Sequence, residues 1–213
     1  MNPATKPTGV HQSGAHVRVV SDRGAGSTPG IQLSGVSKTY RSRDGDVPSL
    51  RPLDFHINAG EFFVVVGPSG CGKSTLLKLV GLDGFEKKLP WQLSGGMQQR
   101  ASICRALVHD PKIMLMDEPF GALDAMTRER MNVELMRIQR ETGKTVLLIT
   151  HSIPEAVFLA DRVLVMTERP GAIAAIYDVP LPRPRSLDAM ADPAFTELVQ
   201  RIRKHFFTQS ALD

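Results

Sequence analysis

Cysteine is nearly absent from this sequence: two occur in 213 residues, Cys71 and Cys104. That excludes a disulfide framework and points to a reducing compartment such as the cytosol. Long apolar runs are missing too. Stretches such as Phe62-Phe63-Val64-Val65-Val66 fall far short of the roughly 18 residues that a membrane helix needs. The first residues lack the basic-then-apolar pattern of a secretory signal. Charge of one sign is not concentrated either: 26 Lys and Arg stand against 22 Asp and Glu, a net +4 spread along the chain. Without a basic stripe, nucleic acid is not an expected partner. What remains is ordinary globular material, 42% hydrophobic and 23% charged, long enough for one domain with its own core.

Residues 1–28 carry Pro, Thr, Gly and Ser with almost no apolar periodicity and read as a flexible leader, which leaves 29–213 as one domain. Leu53, Phe55 and Ile57 alternate with polar residues, as a half-buried strand should, and Asn58-Ala59-Gly60 signals a turn. Phe62 to Val66 has no alternation and suits a central strand covered on both faces. Helix is expected from Lys73 to Val80 and again from Met97 to Val108. Ile113 to Met116 reads as a buried strand ending at Asp117-Glu118. Asp124 is a plausible N-cap for a helix marked by Met131, Leu135 and Ile138 and closed by Gly143. Thr145 to Ile149 is the next strand, followed by a helix opened by Ser152 and Pro154. Two more strands, around the Arg169-Pro170-Gly171 turn, and a final helix near Ala194 to Phe207 complete the pattern. Strands alternating with helices predict an α/β fold with a mainly parallel sheet and helices on both faces.

The strongest local signal is Gly67-Pro68-Ser69-Gly70-Cys71-Gly72-Lys73-Ser74, a G-x-x-x-x-G-K-[ST] run directly after a strand and directly before a helix. Its glycines let backbone N–H groups converge on phosphate oxygens, and the helix adds its positive end. Lys73 is expected to reach the β- and γ-phosphates of ATP, Ser74 to ligate Mg²⁺, and Thr75 to share in nucleotide binding. Asp117 and Glu118 arrive at the C-terminal end of a strand, where α/β folds bind ligands. Asp117 is expected to hold Mg²⁺, mainly through water, and Glu118 to act as general base toward the attacking water.

Further motifs narrow the family. Leu93-Ser94-Gly95-Gly96-Met97-Gln98-Gln99-Arg100 resembles the signature of ATP-binding-cassette transporter ATPases. The resemblance implies that Leu93, Ser94, Gly95, Gly96 and Met97 contact ATP held by an opposing subunit, through free N–H groups and a helix dipole. Gly121-Ala122-Leu123-Asp124 resembles the family's D-loop, placing Asp124 at a dimer interface. His151 matches the switch histidine at the γ-phosphate, and Tyr40 the aromatic residue that stacks on adenine. The stretches Met116 to Met126, His151 to Asp161 and Val179 to Arg185 look most like the ATPases of nitrate, sulfonate and taurine importers. The implied fold is a P-loop NTPase core. The implied partners are a second ATPase subunit, membrane permease subunits on the inner face of the cell membrane and, indirectly, a substrate-binding protein.

One feature departs from the family pattern. Ser94 follows Lys73 by only 21 positions, whereas the family places several tens more there, holding a glutamine loop, the strand before it and most of a helical subdomain. The joint falls around 79–84, and residues 81–93 could still span about 40 Å if extended. The shortening predicts a largely missing helical subdomain and impaired hydrolysis. Two functions follow: an importer ATPase, or a truncated cassette that binds nucleotide without supporting coupled transport.

Overall fold

A computed structural model describes residues 16–19, 29–42, 45–79 and 111–207. The expected helix from Met97 to Val108 and the signature residues Leu93, Ser94, Gly95, Gly96 and Met97 lie outside the described residues, as does Cys104.

Two sheets carry the fold. A three-stranded antiparallel sheet has the order β1 (His16–Val19), β2 (Pro29–Ser42), β3 (Gly45–Asn58). β1 falls within the stretch 1–28 expected to be a leader, with His16 opposite Ser34 and Val19 opposite Ile31. The second sheet contains β4 (Phe62–Val66), β5 (Ile113–Asp117), β6 (Thr145–Thr150), β7 (Arg162–Met166) and β8 (Ile173–Asp178), in the order β5-β6-β4-β7-β8. The first four are parallel and β8 is antiparallel to β7, so the expected mainly parallel sheet is present.

β4 is buried at all five positions because it lies between β6 and β7 and both its faces are covered. Its side chains divide by the strand period of two. Phe62, Val64 and Val66 join Val146, Leu148, Val163 and Val165 in one core, and Phe63 and Val65 join Leu147, Ile149 and Leu164 in another. Full burial of each such side chain is worth about 1.5–3 kcal/mol relative to exposure. The first core is closed by helices α2 (Ala125–Thr142), α3 (Ile153–Leu159) and α4 (Pro193–Phe207).

The second face carries a β layer in addition to a helix, which the expectation of helices on both sides did not include. It is covered mainly by β2 and β3, through Ile31, Leu33, Leu53, Phe55 and Ile57, with Leu76 of α1 (Lys73–Leu79). The Phe55 and Phe63 rings stack across this layer with centroids 5.5 Å apart. An alternating segment such as 53–57 covers a sheet face as well as a helix does, since one side of it is uniformly apolar.

β5 also differs from expectation. Met114 is buried, but Ile113, Leu115 and Met116 are only half-buried. Among the described residues β5 pairs with β6 alone, so it forms an edge. The helix signals hold up better. Asp124 caps α2 by accepting a 3.0 Å bond from Thr127 N–H, and Gly143 closes it in the left-handed conformation at φ 61°. Ser152 caps α3 in the same way as Asp124 caps α2, accepting from Glu155 N–H.

Candidate functional site

The parallel strands set the site. Asp117 pairs in register with Ile149, and Val66 with Thr150, so β4, β5 and β6 end side by side at their C-terminal edge. From that edge emerge the glycine loop, the Asp117-Glu118 pair and His151. Residues that the sequence spreads over 85 positions thereby meet.

The loop closes on itself before α1 begins. Lys73 is buried and its Nζ donates to the carbonyls of Gly67 (2.8 Å) and Pro68 (2.9 Å). Gly70 and Gly72 take φ of 77° and 104°, a region that L side chains rarely adopt. Gly72 is also hemmed in: a Cβ there would stand 2.6 Å from Leu50 Cδ2 and 2.9 Å from the Ser49 carbonyl. Cys71 is buried beneath the loop, and burial pushes its thiol above the ordinary range against the opposing pull of Lys73. Ser69 lies on the exposed side of the loop.

Ser74 Oγ donates to Asp117 Oδ2 at 2.9 Å, which joins the first turn of α1 to the end of β5. Glu118 Oε2 lies 3.3 Å from His151 Nδ1. The Glu118 backbone has φ +45°, the one positive φ at a non-glycine among the described residues, and its N–H donates to the Ile149 carbonyl at 2.9 Å. Such a conformation costs on the order of 1–2 kcal/mol for an L residue. It turns the Glu118 side chain off the line of β5 and toward His151.

Two expected residues stand apart from this group. Tyr40 is 42% exposed, with its hydroxyl 3.4 Å from Thr75 Oγ1 and the Lys38 ammonium 5.2 Å from its ring centre. It therefore lies beside the loop, with an open ring. Asp124 is exposed and engaged as a helix cap, and the Thr127 N–H holds its carboxyl below the usual carboxylate range.

The donor set at Ser74 and Asp117, a hydroxyl and a carboxylate, is of the hard-oxygen kind that suits Mg²⁺. Among the described residues no group of three or more His, Cys, Asp or Glu could hold a metal ion. A cation here would take one or two ligands from these residues and the remainder from phosphate and water, as Mg²⁺ commonly does.

Sequence reasoning missed three supporting residues. Arg128 donates to the carbonyls of Phe120 (3.2 Å) and Leu123 (2.8 Å), fastening the loop before Asp124 to α2. Glu155 is buried behind His151, near Thr150, Asn132 and Arg128, and burial pushes its carboxyl above the ordinary value despite those neighbours. Gly171 hydrogen-bonds Ser49 and Arg51 and packs beneath the carbonyl of Cys71. The Ser152-x-x-Glu155 capping pattern was a legible signal for Glu155, although its burial was not.

Known proteins are similar to this chain in sequence and fold. The profile of the ABC transporter family matches residues 50–83 and 79–121, two pieces that meet at 79–83. The aliphatic sulfonates import ATP-binding protein of Bacillus cereus is 31% identical over 242 aligned positions, covering 83% of this chain and 95% of that protein. This chain belongs to the ABC transporter ATPase family. The taurine import ATP-binding protein of Roseobacter denitrificans is 31% identical, over 83% of this chain and 88% of its own. Among solved structures, the dimeric structure of a bacterial ABC transporter cassette matches with a TM-score of 0.60 and 25% identity, over 71% of this chain and 99% of that one. The P-loop NTPase fold expected from the glycine loop is thereby shown, as is an ATPase of the ABC type. The alignment to the sulfonate relative has more positions than this chain has residues, so the relative carries residues that have no counterpart here. The two-piece family match puts its junction where Lys73 and Ser94 come too close in sequence.

Proposed function

We propose that this chain is the ATP-binding and ATP-hydrolysing subunit of an importer of the nitrate, sulfonate and taurine kind. The observation that carries the reading is the meeting of Ser74 with Asp117 and of Glu118 with His151 at one strand edge, immediately beside the glycine loop. The names of the sulfonate and taurine relatives support an importer role. Among the described residues no helix is long and apolar enough to cross a membrane, which suits a subunit that docks on a permease. Membrane permease subunits, an inner-face location and an indirect link to a substrate-binding protein belong to the same reading.

In this proposal Gly67, Pro68, Ser69, Gly70, Cys71 and Gly72 wrap the ATP phosphates with backbone N–H groups. Lys73 exchanges its loop carbonyls for phosphate oxygens, which costs little because both are oxygen acceptors. Thr75 and Tyr40 flank the nucleotide, with the exposed Tyr40 ring free to stack on adenine. Mg²⁺, when bound through Ser74 and Asp117, supplies charge neutralisation at the phosphate oxygens. Glu118 accepts the proton of the attacking water, and His151 orients Glu118 and faces the γ-phosphate. The related cassette is dimeric, which supports a second ATPase subunit whose Leu93, Ser94, Gly95, Gly96 and Met97 face the phosphate and whose Asp124 lies at the interface.

The truncated-cassette alternative draws no support from the relatives, whose names are those of import ATPases, nor from the described site, whose loop and acids stand together. Phosphate release by the purified chain, with Glu118→Gln as control, is the test. Turnover that depends on Glu118 supports the reading; release no faster than the control sinks it. ATP-dependent sedimentation of Glu118→Gln as a dimer tests the second subunit separately.

A further inference from the structure

A cleft of about 200 Å³ opens between α2 and the turn at Arg183-Pro184-Arg185. Its floor is apolar, built from Val133, Met136 and Pro184. Its remaining lining is cationic, and the cations are not equally committed. Arg137 is pinned on both sides, by Glu134 at 2.6 Å and Glu141 at 2.7 Å. Arg183 is paired with Asp161 at 2.6 Å and donates to the Leu159 carbonyl. Arg140 makes no ion pair or hydrogen bond among the described residues and lies exposed in the last turn of α2.

Arg185 is the unusual member. It is only 6% exposed, and its Nη1 and Nη2 donate to the carbonyls of Val157, Phe158, Ala160 and Leu181. Its Nε has no partner although it is buried. Among the described residues no carboxylate is bonded to this guanidinium, and burial first, then the Arg183 charge, lowers its pKa to about 10 against the opposing pull of Asp161. Buried cations are ordinarily matched by an anion. Here a buried, under-compensated guanidinium and an uncommitted one line the same small cleft.

We propose that this cleft binds a small organic anion, its acid head on the exposed Arg140, with the buried charge of Arg185 adding attraction from behind, and its short alkyl body on Val133, Met136 and Pro184. The head is a sulfonate or carboxylate, either of which a guanidinium can grip through two oxygens. The apolar floor selects against inorganic anions, which gain nothing from covering Met136. The site is remote in sequence from the glycine loop and does not depend on the importer reading.

The full-length chain, labelled at its methionine methyls, tests this by NMR titration with 1-butanesulfonate, butyrate and sodium sulfate. Met136 reports the cleft, with its resonance assigned through Met136→Leu, and Met166, packed against Gly67, reports the phosphate loop. The expected result is a saturable Met136 shift with at least one organic anion. Arg140→Gln should weaken it at least about tenfold, and Val133→Glu should abolish it. Both substitutions fall on exposed positions of a helix, so folding is preserved. The proposal is overturned if only Met166 responds, if Arg140→Gln binds as tightly, or if sulfate binds as tightly as the organic anions.

Discussion

Ser74 Oγ gives its hydrogen bond to Asp117 Oδ2 at 2.9 Å, so the hydroxyl at the start of α1 and the acid at the end of β5 share one small volume. Neither group reaches the other through local sequence; the parallel pairing of β5 with β6 and β6 with β4 brings them together. If Asp117 holds Mg²⁺ through water, as proposed, its replacement acts like loss of an outer ligand. Asp117→Asn is then expected to raise the Mg²⁺ concentration for half-maximal phosphate release by about 10–100-fold. The chain should remain folded, because Asn keeps an oxygen acceptor for Ser74. A Mg²⁺ titration unchanged by the substitution would rule out this role.

Glu118 combines a proposed chemical task with backbone strain at φ +45°. The two can be separated. Glu118→Gln keeps the strain and removes the base, so turnover should fall by about 10²–10⁴-fold while ATP affinity is retained. Glu118→Gly removes the base and also relieves the strain. It should be equally inactive yet melt about 2–4 °C higher than the Gln variant, which corresponds to roughly 1 kcal/mol for a chain of this size. Calorimetry of the two variants side by side decides the point. Equal melting temperatures would mean that the φ +45° conformation carries no cost.

Much of this architecture could be read from residues alone, for reasons specific to each element. The five apolar residues of β4 have no alternation because both faces are covered, and the glycine loop advertises itself because few other residues fit its φ values. The caps Asp124, Gly143 and Ser152 are local devices and were legible for that reason. β5 was read as buried because its composition is apolar; its position at the sheet edge is a tertiary property that composition does not carry. β2 and β3 as a covering layer, and β1 beside them, were hidden by the same locality. Gly171 matters through contacts with Ser49, Arg51 and Cys71 that only the fold brings together, and although the Ser152-x-x-Glu155 pattern was legible, nothing local announced the burial of Glu155 or the loop carbonyls that Arg128 holds.

Gly171 illustrates such a contact. It lies on the turn between β7 and β8, donates to the Ser49 carbonyl at 2.9 Å and accepts from Arg51 at 2.8 Å. A Cβ at this position would collide with the carbonyl of Cys71 and stand 2.8 Å from Met166 Cε. Gly171→Ala must therefore displace the phosphate loop or the turn beneath it. Overpacking of this sort costs about 1–3 kcal/mol. Both a lower melting temperature and weaker ATP binding are expected, measured by calorimetry and by titration with a fluorescent nucleotide. Unaltered nucleotide affinity would show that the turn, rather than the loop, gives way.

Glu155 supplies a pH-dependent test. Its carboxyl is 5% exposed, and burial raises its pKa above the ordinary value, against the influence of Thr150, Arg128, Asn132 and His151. One carboxylate oxygen, Oε1, and the nearby Asn132 Oδ1 are both buried without partners. Two adjacent acceptors are better served if one of them carries a proton. Because the folded pKa exceeds the unfolded one, the native state binds the extra proton between the two values. Stability from this group is therefore greatest below the unfolded value near 4.5 and declines as pH rises through the folded value. Glu155→Gln, which supplies a permanent donor of the same shape, should lose that decline. Its melting temperature relative to the wild-type chain should rise as pH climbs above the unfolded value near 4.5 and level off once the native carboxyl has ionised. A constant difference from pH 5 to pH 8 would show that Glu155 is ionised in the fold throughout, with Arg128 and His151 outweighing the burial of its charge.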